Sequence, residues 1–168
     1  MASENLIRKR ITKEMPPDAL KKHIVEFLKT QNMCVLATCI SNSPRATPIE
    51  YYSKGMTLYM IAEEGKKLEN IRANPQVSIG IFAPYNGWMS VRGVQITGMA
   101  RIVSRKEKAE YNDWLSVYKW QRSAQELGIK TLPENVKAIR VDVLKVELTD
   151  ISLKEKGYAA RQVLVKRN

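Results

Sequence analysis

Histidine is almost missing from this 168-residue chain: His23 stands alone. One imidazole argues against the multi-histidine clusters that hold zinc or iron. Cysteine is scarce too, with only Cys34 and Cys39, in the stretch "MCVLATCI". Five positions along a strand send two side chains to opposite faces, so these thiols are badly placed to bridge each other or to share a metal. They read as small buried residues in a reducing compartment. Long apolar runs are also absent. Stretches such as "MCVLA" fall far short of the ~20 residues that span a bilayer, and "MASENLIRKR" has no apolar core of the signal-peptide type. The expectation is a cytoplasmic protein with no membrane partner. GxSxG, HExxH and GxxxxGK[ST] patterns are all missing, which disfavours serine hydrolysis, zinc proteolysis and nucleotide hydrolysis. What remains is chemistry carried by a cofactor, or binding alone.

Positive charge is abundant. Lysine and arginine number 28 against 17 acidic residues, a net charge of +11. Such an excess suits nucleic acid, anionic surfaces or phosphorylated small molecules. The basic residues cluster near both ends ("IRKRITK" and "LVKRN") and at "EEGKK" and "SRKEK"; terminal clusters read as solvated tails. The apolar share of 44% and the length allow one domain with its own core over residues 1–168.

Residues 1–15 read as an arm. A helix is predicted over 17–31: Pro17 suits its first turn, Asp18 favours the positive end of the dipole, and Leu20, Ile24, Phe27 and Leu28 form one apolar face. His23 lies beside that face as a partly exposed helix residue. The period then changes to that of strands. "MCVLATCIS", "RATPIEYYS" and "MTLYMIA" follow closely with turn residues between them, which indicates antiparallel hairpins. A short helix, "KKLENIRANP", precedes the alternating strand "QVSIGIFA". "WMSVRGVQITGMARIV" and "AIRVDVLKVELTD" each slip phase. The first slip predicts a bulge at Gly93, and the small Gly98 and Ala100 leave room for something to approach the backbone. Between them, Tyr111, Trp114, Leu115 and Tyr118 form an apolar stripe assigned to packing. Together these predict a mainly β fold, a six-stranded antiparallel barrel over 33–149 with inserted helices, and a C-terminal extension over 150–168.

"AEEGKKLENIRANP" (Ala62–Pro75) joins a strand to a helix through glycine and two lysines. Helix-start N–H groups, Lys66, Lys67 and a close backbone at Gly65 suit a phosphate, and Arg45 on the neighbouring strand of the hairpin adds a guanidinium. An ordinary solvated turn has the same composition.

The order helix, "VLAT", "PRATPIEY", "LYMIAEEGKKLENIRANPQVSI", "VQITGMARIV" resembles the pyridoxamine 5'-phosphate oxidase-like family of FMN-binding Greek-key split barrels, over roughly Pro17 to Val103. The resemblance implies a homodimer with FMN at the subunit interface and a hydride- or electron-transferring oxidoreductase. It implies ring contacts from Arg45, Ala46, Thr47 and Pro48 and from Met60, Ile61 and Ala62. Lys66 and Lys67 join Arg45 on the cofactor phosphate, and Arg92 or Gln95 reaches the partner's flavin. No catalytic side chain is implied. The departures tell against vitamin B6 oxidation itself: Glu50 stands where the true oxidases have a substrate-binding lysine, and their helical Tyr-Arg-Ser set and C-terminal Arg-His motif are missing. The small-molecule substrate is left open. Alternatives are a deazaflavin- or haem-binding split barrel, and a non-catalytic barrel binding single-stranded nucleic acid. The last is disfavoured and would stack bases on Tyr51, Tyr52, Tyr59, Tyr85 and Trp88.

Overall fold

The computed structural model describes residues 10–166, the side chains of Gln121 and Ser123 apart. Helix α1 (Pro17–Thr30) starts on Pro17 and Asp18 and buries Leu20, Ile24, Phe27 and Leu28. Three strands follow: β1 (Met33–Ile40), β2 (Ser43–Glu50) and β3 (Tyr52–Lys54). Ser41 and Asn42 turn the β1–β2 hairpin with φ of 48° and 59°, the paired left-handed conformation that matches strand twist in two-residue loops. Strand β4 (Thr57–Glu63) leads into helix α2 (Lys66–Ala73) and strand β5 (Gln76–Phe82). A 3-10 turn at Trp88–Ser90 precedes β6 (Arg92–Val103). Helices α3 (Lys108–Val117) and α4 (Trp120–Leu127) come next, then β7 (Val136–Asp150), a second 3-10 turn and β8 (Arg161–Val165).

All pairings are antiparallel, in the order β2-β1-β5-β6-β7-β4-β3, with β8 on β7. The class is the expected mainly β split barrel with flanking helices, but the described residues form eight strands instead of six. "RATPIEYYS" breaks at Tyr51, whose side chain turns into the core and donates to Leu28 O at 2.9 Å. The C-terminal extension supplies the other added strand, β8. The first nine residues of the expected arm lie outside the described residues. Its remainder runs along β8: Ala159 N donates to Lys13 O at 2.8 Å, and Met15 N to Gln162 Oε1 at 3.1 Å.

The bulge is not at Gly93. That residue pairs in register with Phe82 and Thr149, and the apparent slip is the 3-10 turn ahead of the strand. The irregularity lies on β7: Thr97 faces Lys145 while Gly98 faces Val143, so Leu144 is the extra residue. The inward phase passes from Ile139, Val141 and Val143 to Val146 and Leu148, and Leu144 faces outward. A bulge adds local twist, and here it helps curl the sheet. Gly98 is small for the same reason. A Cβ there would lie 2.8 Å from Val141 Cγ1 and 3.0 Å from Asp142 O, so the close approach is made by the neighbouring strand.

Two cores result. The larger fills the barrel beneath α1 and α2. The smaller packs Trp114, Tyr118 and Trp120 against Tyr59, Val103 and Ala138, as expected of the aromatic stripe. The Trp114 and Tyr118 rings stack at 5.0 Å, and Trp114 Nε1 donates to Met60 O at 3.2 Å. At the far end, buried Asp150 gathers His23 Nε2 at 2.8 Å, Ser152 N at 3.0 Å and Ser152 Oγ at 2.6 Å.

Two stability measurements check this account. Gly98→Val should lower the denaturation midpoint by the equivalent of at least 1–3 kcal/mol, the usual cost of overpacking; an unchanged midpoint would remove the close approach. Asp150→Ala, which removes the shared partner of the partly buried Arg92 and His23 and of Ser152, should cost about 1–3 kcal/mol.

Candidate cofactor cleft

Strands β2 and β4 are the two margins of the curled sheet. β2 has β1 on one side only, and β3 covers β4 only at Thr57–Tyr59. Among the described residues, Met60–Glu63 therefore has β7 on one side and no strand on the other. The seam between these margins opens as a cleft of about 460 Å³. Arg45 and Thr47 line it from β2, Ile61, Ala62 and Glu63 from β4, Glu64 and Gly65 from the connection, Lys66 and Lys67 from the start of α2, and Val136 from β7.

Sequence chemistry fixes the α2 end of this cleft. Gly65 sits at φ 147° and ψ −170°, a conformation open to glycine and strained for any other residue. It lets the chain leave β4 and begin a helix at once. Leu68 N and Glu69 N both bond Gly65 O, whereas the N–H groups of Lys66 and Lys67 have no described partner. Leu68 and Ile71 enter the core. Buried Asn70 donates to Thr38 Oγ1 at 3.0 Å, and Asn74 Nδ2 to Cys39 O at 3.2 Å, so α2 is pinned to β1.

The two lysines behave differently. Lys66 is exposed and pairs with Glu69 at 2.9 Å. Lys67 is half-buried with no described acidic partner. Burial, and then the nearby Arg45 charge, hold its ammonium below the usual lysine range, with Cys34 acting weakly the other way. The Cys34 thiol is itself pushed up to about 12 by burial. Glu64 could have neutralised this corner but is held by Arg72 at 2.8 and 3.0 Å. Nothing in the sequence signalled that diversion, since the two residues are eight positions apart. Lys67 and Arg45 are thus neighbours with no described ion pair of their own, although Glu63 and Glu64 line the same cleft. Thr47 Oγ1, on the same wall, is buried without a partner. Unpaired cations and an orphaned hydroxyl are what a terminal phosphate would satisfy.

The remaining candidates divide. Ala46 and Pro48 are exposed on β2. Met60 is wholly buried, with its side chain in the core and its carbonyl accepting from Trp114 Nε1, and does not line the cleft, whereas Ile61 is partly exposed there. Gln95 is exposed on β6 and lines a second cleft together with Phe82, Arg92 and Arg161. Arg92 is drawn inward: its Nε lies 2.9 Å from Asp150 Oδ2, off the hydrogen-bond line, and its guanidinium covers the Phe27 ring at 4.8 Å. Of that pair, Gln95 is the one left facing outward. Sequence reasoning did not foresee Val136, which joins the cleft only because β7 runs beside β4.

The sequence pattern of the family described as pyridoxamine 5'-phosphate oxidase matches residues 20–153. The chain belongs to that family. An uncharacterized protein of Rhizobium meliloti (strain 1021) is 28% identical over 106 residues, which cover 60% of this chain and 68% of that protein. Among solved structures, an FAD-binding protein of Mesorhizobium loti matches with a TM-score of 0.58 at 23% identity, covering 76% of this chain and 91% of that one. A heme-binding protein of Mycobacterium smegmatis matches at 0.62 with 17% identity, covering 90% of this chain and 59% of that one. These two likenesses establish the split-barrel fold. No helix among the described residues is long and apolar enough to cross a membrane.

Lys67 yields a test free of any ligand. A lysine held below its ordinary value of 10.5 destabilises the folded state wherever both states are protonated. At pH 7 the cost is present in full; it fades as pH climbs from the folded value toward 10.5. Lys67→Met should therefore raise the thermal midpoint of the ligand-free protein at pH 7, by up to about 1 kcal/mol in stability. The gain should shrink above pH 10. A loss of stability at pH 7 would contradict the strained-cation description.

Proposed function

We propose that the cleft binds FMN and that the protein is a flavin-dependent oxidoreductase of small molecules, active as a homodimer with the cofactor at the subunit interface. The observation that carries this reading is the half-buried Lys67 beside Arg45 with no described acid to pair either. In it, Arg45, Lys67 and the N–H groups of Lys66 and Lys67 hold the phosphate dianion, and Thr47 Oγ1 donates to the same ligand. Lys66, paired with Glu69, contributes charge at longer range. Arg45–Pro48 and Ile61–Ala62 flank the ring through backbone on either side of the seam, and Gln95 serves the partner's cofactor. When bound, FMN supplies hydride or electron transfer at its ring. The chain's part is to anchor, orient and shield, and no described side chain is assigned as acid or base. Pyridoxamine phosphate oxidation is disfavoured because Glu50 opposes a second phosphate on the substrate side.

Two observations weigh against the other ligands. His23 Nε2 is committed to Asp150 at 2.8 Å and lies against Arg92 at the rim of the second cleft, which gives haem no histidine at the β2–β4 seam. For single-stranded nucleic acid, Tyr51 and Tyr59 are buried in packing, which leaves Tyr85 and Trp88 as the exposed aromatic residues of the set of five, with Tyr52 in between. Deazaflavin shares the phosphate chemistry and is separated from FMN by direct titration.

Titration of the purified protein with FMN, followed by absorbance, should saturate at one flavin per chain. Arg45→Ala combined with Lys67→Ala should weaken binding by well over tenfold, since two charge-assisted contacts of roughly 1.5–3 kcal/mol each are lost. Wild-type affinity in the double variant would overturn the phosphate assignment.

A further inference from the structure

Two glutamates precede the lysine loop and take no part in holding phosphate. Glu63 ends β4, and Glu64 follows it directly before Gly65, Lys66 and Lys67. Both glutamates line the β2–β4 cleft. Strand alternation puts Glu63 on the same face of β4 as Ile61, which is partly exposed in that cleft. The Glu63 carboxylate has no described hydrogen bond or ion pair. The other acids of this corner are engaged. Glu64 accepts from Arg72 at 2.8 and 3.0 Å and lies 3.8 Å from Lys137. The Arg72 bond holds its carboxyl below the usual carboxylate range. Glu69 pairs with Lys66 at 2.9 Å and does not line the cleft.

Around the start of α2 the exposed residues of the cleft are Glu63, Glu64, Gly65 and Lys66, so a ligand leaving the phosphate corner there meets carboxylates. Glu63 stands opposite Val136 in the β4–β7 pairing. Val136 lines this cleft and also a smaller cavity of about 250 Å³, shared with Val103, Arg105, Tyr111 and Ala138. Space therefore continues past Val136, and Tyr111 gives it an aromatic wall. The cations on that route are committed. Arg105 donates to Leu132 O at 2.6 Å and to Pro133 O at 2.8 Å, and Lys137 donates to Glu134 O at 2.6 Å.

Resting on the flavin reading, we infer that Glu63 sets the cofactor class: it admits a flavin mononucleotide and rejects the dinucleotide, FAD, at its second phosphate. FMN and FAD present the same ring, ribityl chain and first phosphate to the cleft. When the shared part of two ligands binds alike, a charge placed against the extra part of one separates them. The terminal phosphate of FMN carries almost two negative charges, both within reach of Arg45 and Lys67. In FAD that phosphate is a diester with one charge, and the other charge moves outward, from the cations toward Glu63. The dinucleotide loses attraction in the corner and meets repulsion at the mouth.

The test titrates the purified protein with FMN and with FAD at pH 7 and fixed ionic strength, read by flavin absorbance. Wild type should bind FMN about tenfold or more tighter than FAD. Glu63→Gln, a near-isosteric change at an exposed position, should narrow that gap by about threefold or more. Glu63→Lys should narrow it further, and in both variants the gain should fall mainly on FAD. Glu69→Gln removes an acid beside the same loop but outside the cleft, and should leave the ratio unchanged. Equal affinities in wild type, tighter binding of FAD, a ratio that Glu63→Gln does not move, or an equal narrowing in Glu69→Gln would each overturn the assignment while leaving the phosphate corner standing. A wild-type protein that takes up neither flavin overturns both.

Discussion

The barrel is held open by an unmade pairing. β2 and β4 end as margins of one curled antiparallel sheet, and nothing in the described chain zips them together. Exposed strand edges invite association with other chains, so a fold that keeps two of them side by side must cover or use them. Here the gap is flanked by α2 at one end and by the α3–α4 pair at the other, and the candidate cleft is the space left between. The curl itself follows from local features: the extra residue Leu144 on β7, and Gly98 opposite it, where a side chain would strike Val141 and Asp142.

From that constraint the electrostatics follow. α2 begins where β4 ends because Gly65 adopts a backbone conformation that other residues resist, and this brings Lys67 against Arg45. Like charges set together at the cost of desolvation destabilise a fold unless something else gains from them. Glu64 turns away to Arg72, and the corner stays positive. Perturbed, partly buried cations in a cleft are a recognised mark of function.

Much of this was legible in the sequence. Alternation in "QVSIGIFA", the caps of α1 and the run from Lys66 to Pro75 each announce their element, because local propensity and burial agree there. The mainly β barrel follows from them, whereas the split-barrel class and the reading of the loop as a phosphate site came from the family resemblance. Three features were hidden for physical reasons. The break at Tyr51 depends on a hydroxyl finding Leu28 O, a tertiary contact with no local signal. β8 is short and has outward-facing Val163 and Val165, so its pattern resembles a tail. The phase change at Gly93 imitates a bulge because a 3-10 turn also shifts side-chain phase, and only the pairing register separates the two. At the site, spacing could nominate both Lys66 and Lys67, but only the fold distinguishes a lysine paired with Glu69 from one left facing Arg45.

The central claim is that the Arg45–Lys67 corner is a receptor for a phosphate dianion, and comparing FMN with riboflavin tests it most directly. The two share ring and ribityl chain and differ only in the phosphate. Measured by flavin absorbance or fluorescence at fixed ionic strength, FMN should bind at least a hundredfold more tightly, as two charge-assisted contacts of about 1.5–3 kcal/mol each require. The advantage should fall as salt is raised. Equal affinity for the two would mean that the paired cations do not hold the cofactor, and would contradict the account at its base.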